Sequence, residues 1–256
     1  MKFDELDEKM RVFETAHDHC VLPGLMIVAR LDGRGFTRLT KETHAFERPF
    51  DVRVRDHMLA TVEHLMTCGP RIVYGYTQSD EISLLFHPDD DSFERKLRKL
   101  TSVLAGEASA CFARRLGDHA VFDCRISQLP AERHVVDYFR WRHEDAHRNA
   151  LSAHCYWLLR GQGRSVGEAT AQLSGLGTAA KNELLFTHGI NFNDLPAWQK
   201  RGSGLWFRDE PKVGVDPRTG ARVTTTRRRV HRELELPLGD DYDALIRARL
   251  ADATAA

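Results

Sequence analysis

The chain has 256 residues, of which 42% are hydrophobic and 29% are charged, and its formal net charge at pH 7 is zero. This composition predicts a soluble globular protein with a sizeable core and excludes a disordered chain. No apolar run approaches the roughly 20 residues that a membrane-spanning helix needs, so no membrane partner is expected. The balanced charge gives no overall preference for nucleic acid, although the arginine cluster around Arg227–Arg229 is a candidate phosphate-binding patch.

The cysteine content indicates a reducing compartment. The five cysteines are an odd number, and no CxxC pair occurs. This pattern argues against a disulfide framework and against a structural zinc site. The segment Met1–Asp7 is acidic and has no apolar signal core. Together these features predict a cytoplasmic protein.

The first half of the chain alternates between strand-like and helix-like stretches. The predicted elements are, in chain order, a helix at 3–19, a strand ending at Asp32, a helix from Asp51 to about Cys68, two strands over 71–87 joined near Thr77–Ser79, a helix from Ser92 to about Leu116, and a strand at 119–128. This β-α-β-β-α-β order is that of the ferredoxin-like α+β unit, an antiparallel sheet with helices on one face. In that layout the first strand lies beside the hairpin, so Asp32 should meet Asp80 and Glu81.

The second half of the chain is predicted to be helical at first. A long periodic segment occupies 131–159, shorter helices follow, and residues from Gly202 onward are expected to form a C-terminal β-hairpin. No low-complexity linker separates the two halves. The expected organisation is therefore a core at 1–130 and a helical extension with C-terminal strands at 131–256, packed as one compact unit.

Carboxylates occur where buried strands should end. Asp32 follows the apolar run Leu25–Leu31, and Asp80 and Glu81 lie between the strands of the predicted hairpin. An unpaired carboxylate beside a core is costly, and Mg²⁺, which prefers carboxylate oxygens, compensates that cost. Asp32-Gly33 is also a common turn dipeptide. The matched strand context of the two segments favours a shared metal site suited to phosphate chemistry.

The loop after Asp32 suits a triphosphate. Gly33 lets the backbone approach a ligand closely, and its carbonyl oxygen is a candidate metal ligand. Arg34 and Gly35 continue a flexible, basic loop toward a helix start. A second glycine-rich turn, Gly175–Lys181, also leads into a helix. Two interpretations of it remain open: a phosphate contact through Lys181, or a plain helix cap.

A rival motif lies in the predicted long helix. The segment His143–His147 matches the HExxH pattern of zinc proteases, with two imidazoles one helical turn apart beside a catalytic glutamate. No third ligand follows in a matching helix, and the flanking residues are charged, whereas a catalytic zinc helix is usually buried. The zinc metalloprotease is therefore an alternative that the sequence disfavours. The sequence favours a helix surface that is polar or that faces RNA.

Several short motifs follow one another along the chain. They are Arg30–Phe36, Tyr76–Glu81, Phe122-Asp123 with Arg125, Tyr138–Arg142, His147–Asn149, Ala180–Phe186 and Gly189–Asn193. In this order the set resembles the tRNA-His guanylyltransferase family, including its bacterial and archaeal 3′–5′ polymerase-like members. The resemblance extends over roughly residues 1–210, and the motifs are specific as a set.

The resemblance implies a polymerase palm as the catalytic core, in agreement with the strand order. It implies activation of the tRNA 5′ phosphate by ATP, followed by attack of the 3′-hydroxyl of GTP on the activated phosphate. Two Mg²⁺ ions would be held by Asp32, the Gly33 carbonyl and Asp80. Glu81 would be a further catalytic residue near the metals, whose role is the least defined.

The resemblance also implies binding residues and partners. The nucleotide-binding residues would be Asp32, Gly33, Arg34, Gly35, Phe36, Thr37, Arg48, Ser79, Asp80 and Lys181. Arg48 stands where the family usually has a lysine. The tRNA-binding residues would be Arg125, His147 and Asn149. The family is usually tetrameric, so a homotetramer is expected.

One departure affects the substrate. Eukaryotic members carry His-Ile-Asn-Asn where this chain has His147-Arg148-Asn149-Ala150. Strict tRNA-His specificity and repair of 5′-truncated tRNAs therefore both remain open. Two other classes are a nucleotide cyclase-like enzyme on the same kind of palm and a non-catalytic RNA-binding module.

Overall fold

The computed structural model describes residues 2–215 and 218–254. The helices are α1 (Phe3–Thr15), α2 (Phe36–Arg38), α3 (Val52–Leu65), α4 (Leu97–Leu116), α5 (Glu132–Gly161), α6 (Val166–Leu173), α7 (Thr178–Phe186), α8 (Ala197–Arg201) and α9 (Gly239–Thr254). The strands are β1 (Met26–Gly33), β2 (Ile72–Gln78), β3 (Glu81–Phe86), β4 (Phe122–Leu129), β5 (Ser203–Val215) and β6 (Arg222–Glu233). None of the described helices is long and apolar enough to cross a membrane.

These strands form one antiparallel sheet in the order β4-β1-β3-β2-β5-β6. Its first four strands, with α3 and α4 as their connections, have the predicted β-α-β-β-α-β order. Strand β1 pairs with both β3 and β4, so it lies inside the sheet next to the hairpin. The sequence periodicity therefore predicted correctly that the end of β1 with Asp32 lies beside the start of β3 with Glu81.

The sheet is covered on both faces. Helices α3 and α4 pack on one face, where Leu31 and Ile82 share a core with Val62 and Leu104. Helices α5 and α9 pack on the other face, around a second core that contains Phe139. The connecting helices α3 and α4 lie on one face as expected, but α5 and α9 cover the other face of the same strands.

The C-terminal hairpin extends the sheet and then leaves it. Strand β5 pairs with β2 through Ser203–Leu205 opposite Gly75–Thr77, whereas its pairing with β6 runs from Gly204 opposite Glu233 to Val215 opposite Arg222. The outer parts of this hairpin are exposed. Beyond Leu205 the two strands β2 and β5 diverge.

The predicted cap of the fourth helix is wrong. Ser92 begins a short 3₁₀ turn, and α4 begins at Leu97. Phe93, Glu94 and Arg95 have positive φ angles of 55°, 54° and 57°, which a continuous right-handed helix excludes. The first helix also ends at Thr15, earlier than predicted.

Candidate active site

The turn of the β2–β3 hairpin brings the two acidic segments together. Asp32 in β1 lies directly opposite Glu81 in β3. The Gly33 amide donates a hydrogen bond of 3.0 Å to the Asp80 carbonyl. Ser79, with a φ of 55°, forms the two-residue turn with Asp80. The encounter expected from the strand order therefore occurs at one end of the sheet.

The surroundings of Asp80 disfavour its charged form. Burial raises its pKa to about 6, and the charges of Asp32 and Glu81 act in the same direction. The Ser79 hydroxyl donates a hydrogen bond of 3.0 Å to its Oδ1 and partly opposes that shift. No ion pair within the described residues joins Asp80 to a basic side chain. Its negative charge is therefore not balanced by an ion pair within the described residues.

Asp32 lies at the edge of the same site, and Arg30 partly balances its negative charge. Its Oδ2 is 3.6 Å from the guanidinium of Arg30, and 34% of its side chain is exposed. Because residues directly opposite in an antiparallel pair project from the same face, Asp32 shares the α5 face of the sheet with Glu81. Arg30, two residues before Asp32, projects from this face as well.

Glu81 is bound by protein cations. Arg30 donates to its Oε1, and Arg142 of α5 donates to its Oε2 at 3.2 Å. Arg142 also donates to Asp145 at 3.2 Å, and only 4% of the Arg142 side chain is exposed. The chain Asp32–Arg30–Glu81–Arg142–Asp145 therefore alternates in charge across the α5 face. These contacts hold Glu81 in place and leave it less free to bind a metal than Asp80.

The residues at this end of the sheet fit magnesium. Asp32 and Asp80 offer the carboxylate oxygens that this hard cation prefers, and the backbone at Gly33 adjoins them. Within the described residues no group of three or more His, Cys, Asp or Glu side chains is placed to hold a metal ion by itself. A small set of carboxylates is the usual arrangement where substrate phosphates complete the coordination of magnesium. The predicted ligand set itself stays a prediction.

The loop after Asp32 is shaped by a close glycine–aromatic contact. A Cβ on Gly33 would lie 2.5 Å from the Phe36 ring, and Phe36 is buried against Phe112 and Phe122. Gly35, with a φ of 73°, then turns the chain into α2. Arg34 and Thr37 are exposed in this loop. The loop is therefore compact and depends on glycine at both positions; its contact with a triphosphate stays a prediction.

A cleft of about 660 Å³, part of it open solvent, lies beside Asp80. Its lining combines hydroxyl, carboxylate, basic and aromatic groups. The residues that line it are Phe36, Thr37, Thr40, Lys41, Pro49, Phe50, Asp51, Val54, Arg55, Met58, Thr77, Gln78, Ser79, Asp80, Trp198 and Ser203. Four predicted nucleotide-binding residues, Phe36, Thr37, Ser79 and Asp80, are in this lining.

Lys41 is a cleft residue that the sequence reasoning missed. Its ammonium donates to the carbonyls of Glu47 and Pro49 at 2.9 and 2.7 Å. Burial lowers its pKa, whereas the charges of Asp51 and Asp80 raise it. The available signal was a basic side chain one helical turn after Thr37, downstream of the glycine loop. Its charge makes Lys41 a candidate phosphate contact.

Arg48 lies behind Lys41. Its guanidinium stacks over the Trp157 ring at 4.3 Å and donates to the Lys41 carbonyl at 2.6 Å. Arg48 is not among the described residues that line the cleft. Its position as a nucleotide contact stays a prediction.

The remaining predicted residues lie on other elements. Lys181, in α7, donates to the Ser152 hydroxyl at 3.0 Å. His147, in α5, packs edge-on against Phe192, and Asn149 donates to Asp145 at 3.3 Å. Arg125, in β4, is exposed and lies 3.4 Å from Asp123.

The HExxH segment is part of the packing of α5. His143 is buried, stacks on the Tyr242 ring with a centroid distance of 4.2 Å, and has its pKa lowered by burial to about 4. His147 contacts Phe192. The two imidazoles therefore pack against aromatic rings of different elements, which argues against the zinc protease interpretation.

Family models match most of the chain. The model described as tRNAHis guanylyltransferase matches residues 7–130, and the model described as Thg1 C terminal domain matches residues 133–237. A probable tRNA(His) guanylyltransferase of Drosophila melanogaster is 35% identical over 208 residues, which are 77% of this chain and 72% of the relative. The tRNA(His) guanylyltransferase of Neurospora crassa is 37% identical over 196 residues, 72% of this chain and 67% of the relative.

Solved structures are similar over nearly the whole length. A bacterial tRNA(His) guanylyltransferase-like protein in complex with ATP matches with a TM-score of 0.76 and 26% identity, covering 96% of this chain and 98% of that one. A GTP complex of such a protein matches with a TM-score of 0.72 and 25% identity, covering 99% and 100%. These matches confirm the predicted α+β fold with a ferredoxin-like palm.

Proposed function

Because this chain belongs to the tRNAHis guanylyltransferase family of nucleotidyltransferases, we propose that it adds guanylate from GTP to the 5′ end of tRNA. In this proposal the tRNA 5′ phosphate first attacks the α-phosphate of ATP and pyrophosphate leaves. The 3′-hydroxyl of GTP then attacks the adenylylated 5′ phosphate, and AMP leaves. The reaction depends on magnesium, and growth of the RNA runs in the 3′–5′ direction. The location predicted from the cysteine content, the cytoplasm, belongs to the same proposal.

The observation that carries the proposal is that the Asp80 carboxylate, at the cleft, has no ion-pair partner within the described residues. Asp80 lines the open cleft beside the glycine loop and has no ion-pair partner among the described residues. The solved structures similar to this chain hold ATP and GTP. A carboxylate that has no ion-pair partner and lines a cleft together with Ser79 and Lys41 supports magnesium-assisted nucleotide chemistry.

Each residue near the cleft has a distinct part in the proposed reaction. Asp32 and Asp80 would hold magnesium together with the Gly33 carbonyl. Bound there, magnesium would lower the pKa of the attacking 3′-hydroxyl and neutralise charge on the triphosphate. The loop Gly33–Thr37 and the Ser79 hydroxyl would orient the triphosphate through hydrogen bonds.

Basic residues around this centre would bind phosphates. Lys41 lies in the cleft and Arg48 directly behind it. Lys181 is the other predicted phosphate contact. Glu81 would act as a positioning residue, because its carboxylate is held by Arg30 and Arg142. No protein nucleophile is required, since the 3′-hydroxyl of the substrate attacks.

The tRNA would approach from the side of the helical extension. His147 and Asn149 on α5, and Arg125 on β4, are the proposed contacts. The proposed assembly is a homotetramer. The exposed α1, none of whose residues is buried in the monomer, is consistent with further contacts.

The proposal is tested by incorporation of labelled GTP into 5′-monophosphorylated tRNA-His. We expect product that depends on both ATP and magnesium, and a loss of about 1000-fold in Asp80→Ala. The control is Asp89→Ala, because Asp89 is an acid of the loop after β3 whose side chain is 85% exposed. Full activity of Asp80→Ala, or its equal loss in Asp89→Ala, would contradict the metal assignment.

A second candidate is repair of 5′-truncated tRNAs. It is favoured by Ala150, which stands where the eukaryotic enzymes have asparagine in the segment tied to tRNA-His recognition. Rates on tRNA-His are compared with rates on 5′-truncated tRNAs that lack its anticodon. Faster addition to the truncated tRNAs identifies a repair polymerase, and strict preference for tRNA-His identifies the guanylyltransferase.

A further inference from the structure

A second cleft opens where strands β2 and β5 diverge. It encloses about 1090 Å³, part of it open solvent. Its lining comes from the end of α3, the start of β2, the β5–β6 hairpin and the end of α9. The residues that line it are Met66, Thr67, Gly69, Pro70, Arg71, Ile72, Val73, His87, Trp206, Phe207, Arg228, Arg249, Asp252 and Ala253.

This cleft is separate from the one at Asp80. The two lie at opposite ends of β2, because Arg71 precedes this strand and Asp80 follows it. The seven residues of β2 span about 23 Å at the usual rise of a strand. Neither the metal site nor the proposed nucleotide loop contributes to the second cleft.

The second cleft is rich in hydrogen-bond donors. Trp206 is 3% exposed, and no acceptor within the described residues bonds its indole Nε1–H. The buried Nε of Arg249 also lacks an acceptor there. Because a buried donor without a partner is costly, these two groups favour a ligand that supplies acceptor atoms.

The charge of the lining is positive. Arg71, Arg228 and Arg249 face a single carboxylate, Asp252, which lies 3.1 Å from Arg249. Both ring nitrogens of His87 are used within the protein, because Nδ1 accepts from the Asp89 amide and Nε2 donates to the Ala253 carbonyl. The excess of guanidinium groups selects an anion.

Aromatic rings hold two of the guanidinium groups in place. Arg249 lies over the Trp206 ring at 5.1 Å, and Arg228 lies over the Phe207 ring at 4.8 Å. Rings in this position restrict the arginine rotamers and lower the entropy lost when a ligand binds. The planar fork of a guanidinium matches the oxygens of a phosphate.

We propose that the β2–β5 cleft is a second binding site, remote from the catalytic cleft, for the phosphate group of a nucleotide or of RNA. The shared chemistry is a phosphate ester whose oxygens accept from Trp206, Arg71, Arg228 and Arg249. The cleft is large enough for the attached nucleoside, and the rings of Trp206 and Phe207 provide apolar surface beside it.

The chain offers one tryptophan reporter for each cleft. Of its four tryptophans, Trp198 lines the catalytic cleft and Trp206 lines the second one. The full chain labelled with 5-fluorotryptophan is titrated with ATP, with 5′-monophosphorylated tRNA and with adenosine, and followed by ¹⁹F NMR. The variants Trp198→Phe and Trp206→Phe assign the two resonances.

We expect saturable movement of the Trp206 resonance with ATP or with tRNA, at a dissociation constant below about 1 mM, and none with adenosine. A response to ATP identifies a free nucleotide as the ligand, and a response to tRNA alone identifies RNA. Movement of Trp198 reports the proposed catalytic site separately, so failure of one proposal is distinct from failure of the other.

Matched arginine variants complete the test. Arg228→Gln and Arg71→Gln should each weaken the Trp206 response about tenfold and leave the Trp198 response to ATP unchanged. Arg222→Gln is the control, since Arg222 is an exposed arginine of the same strand that lies outside the cleft. An immobile Trp206 resonance, or equal weakening in Arg222→Gln, overturns the proposal.

Discussion

The two neighbouring acids at the tip of the β2–β3 hairpin have opposite surroundings. Glu81, on the α5 face, is bound by Arg30 and Arg142, and Arg142 is bound in turn by Asp145. Asp80, at the cleft, has a hydroxyl for a partner and the charges of other acids around it. The described residues therefore neutralise Glu81, on the α5 face, with protein cations and leave Asp80, at the cleft, without one.

The largest expected effect separates the two acids by kinetics. Asp80→Asn should lower the rate of guanylate addition about 1000-fold, because the amide is a poor ligand for a hard cation. Glu81→Gln keeps part of its hydrogen bonding to Arg30 and Arg142, so its rate should fall about tenfold. Steady-state rates on 5′-monophosphorylated tRNA measure both changes. Equal losses would break the distinction between the two faces.

The free energy of unfolding should depend on the ion pairs around Glu81. Arg142→Met leaves Glu81 and Asp145 without their shared cation, and we expect a loss of about 3 kcal/mol in the free energy of unfolding. Arg148→Met, an exposed arginine of the same helix, is the control and should change stability by less than about 0.5 kcal/mol. Urea unfolding measures both. If the two variants lost the same stability, the charge alternation would not hold α5 to the sheet.

A smaller effect is expected at the glycine between the two faces. Gly33→Ala places a Cβ 2.5 Å from the Phe36 ring, and this overpacking should cost about 2 kcal/mol. The double variant with Phe36→Leu should recover part of that loss relative to the two single changes, since leucine is smaller than phenylalanine. A thermodynamic cycle from urea unfolding checks the coupling. Additive losses would show that the contact is not what requires glycine.

The smallest effect tests the buried histidine of the α5 face. Burial lowers the pKa of His143 to about 4, below its unfolded value, so acid protonates the unfolded chain first. This contribution to stability is complete above the unfolded pKa and is lost as the pH falls toward the folded pKa.

Between about pH 7.5 and about pH 5.5, wild type should therefore lose about 1 kcal/mol more stability than His143→Phe. The phenyl ring retains the stacking on Tyr242 without a titrating group. Urea unfolding at the two pH values measures the difference. An identical pH dependence in both proteins would show that His143 does not titrate on unfolding.

The sequence predicts the first four strands and the meeting of Asp32 with Asp80 because these depend on local periodicity and on strand order. It does not predict the partners of Glu81. Arg142 lies 61 positions further along the chain, and its contact depends on how α5 docks onto the second face of the sheet. The sequence does not predict the cleft position of Lys41 for a similar reason, because that position depends on the path of the loop after α2.

The predicted helix start at Ser92 fails for a different reason. Serine has the right chemistry for a cap, but the three residues after it take positive φ angles, and a helix cannot continue through them. The residue types at Phe93–Arg95 do not predict positive φ angles. Capping residues predict helix starts well only where the backbone beyond them is free to be helical.

Metal binding tests the central claim most directly, because it separates the two acids without requiring the correct tRNA. Mn²⁺ binding in the presence of ATP is measured by electron paramagnetic resonance for wild type, Asp80→Asn and Glu81→Gln. We predict that Asp80→Asn loses the bound ion and that Glu81→Gln retains it with an affinity within about threefold of wild type. Retention by Asp80→Asn together with loss in Glu81→Gln would contradict the assignment of Asp80 as the carboxylate left for the cation.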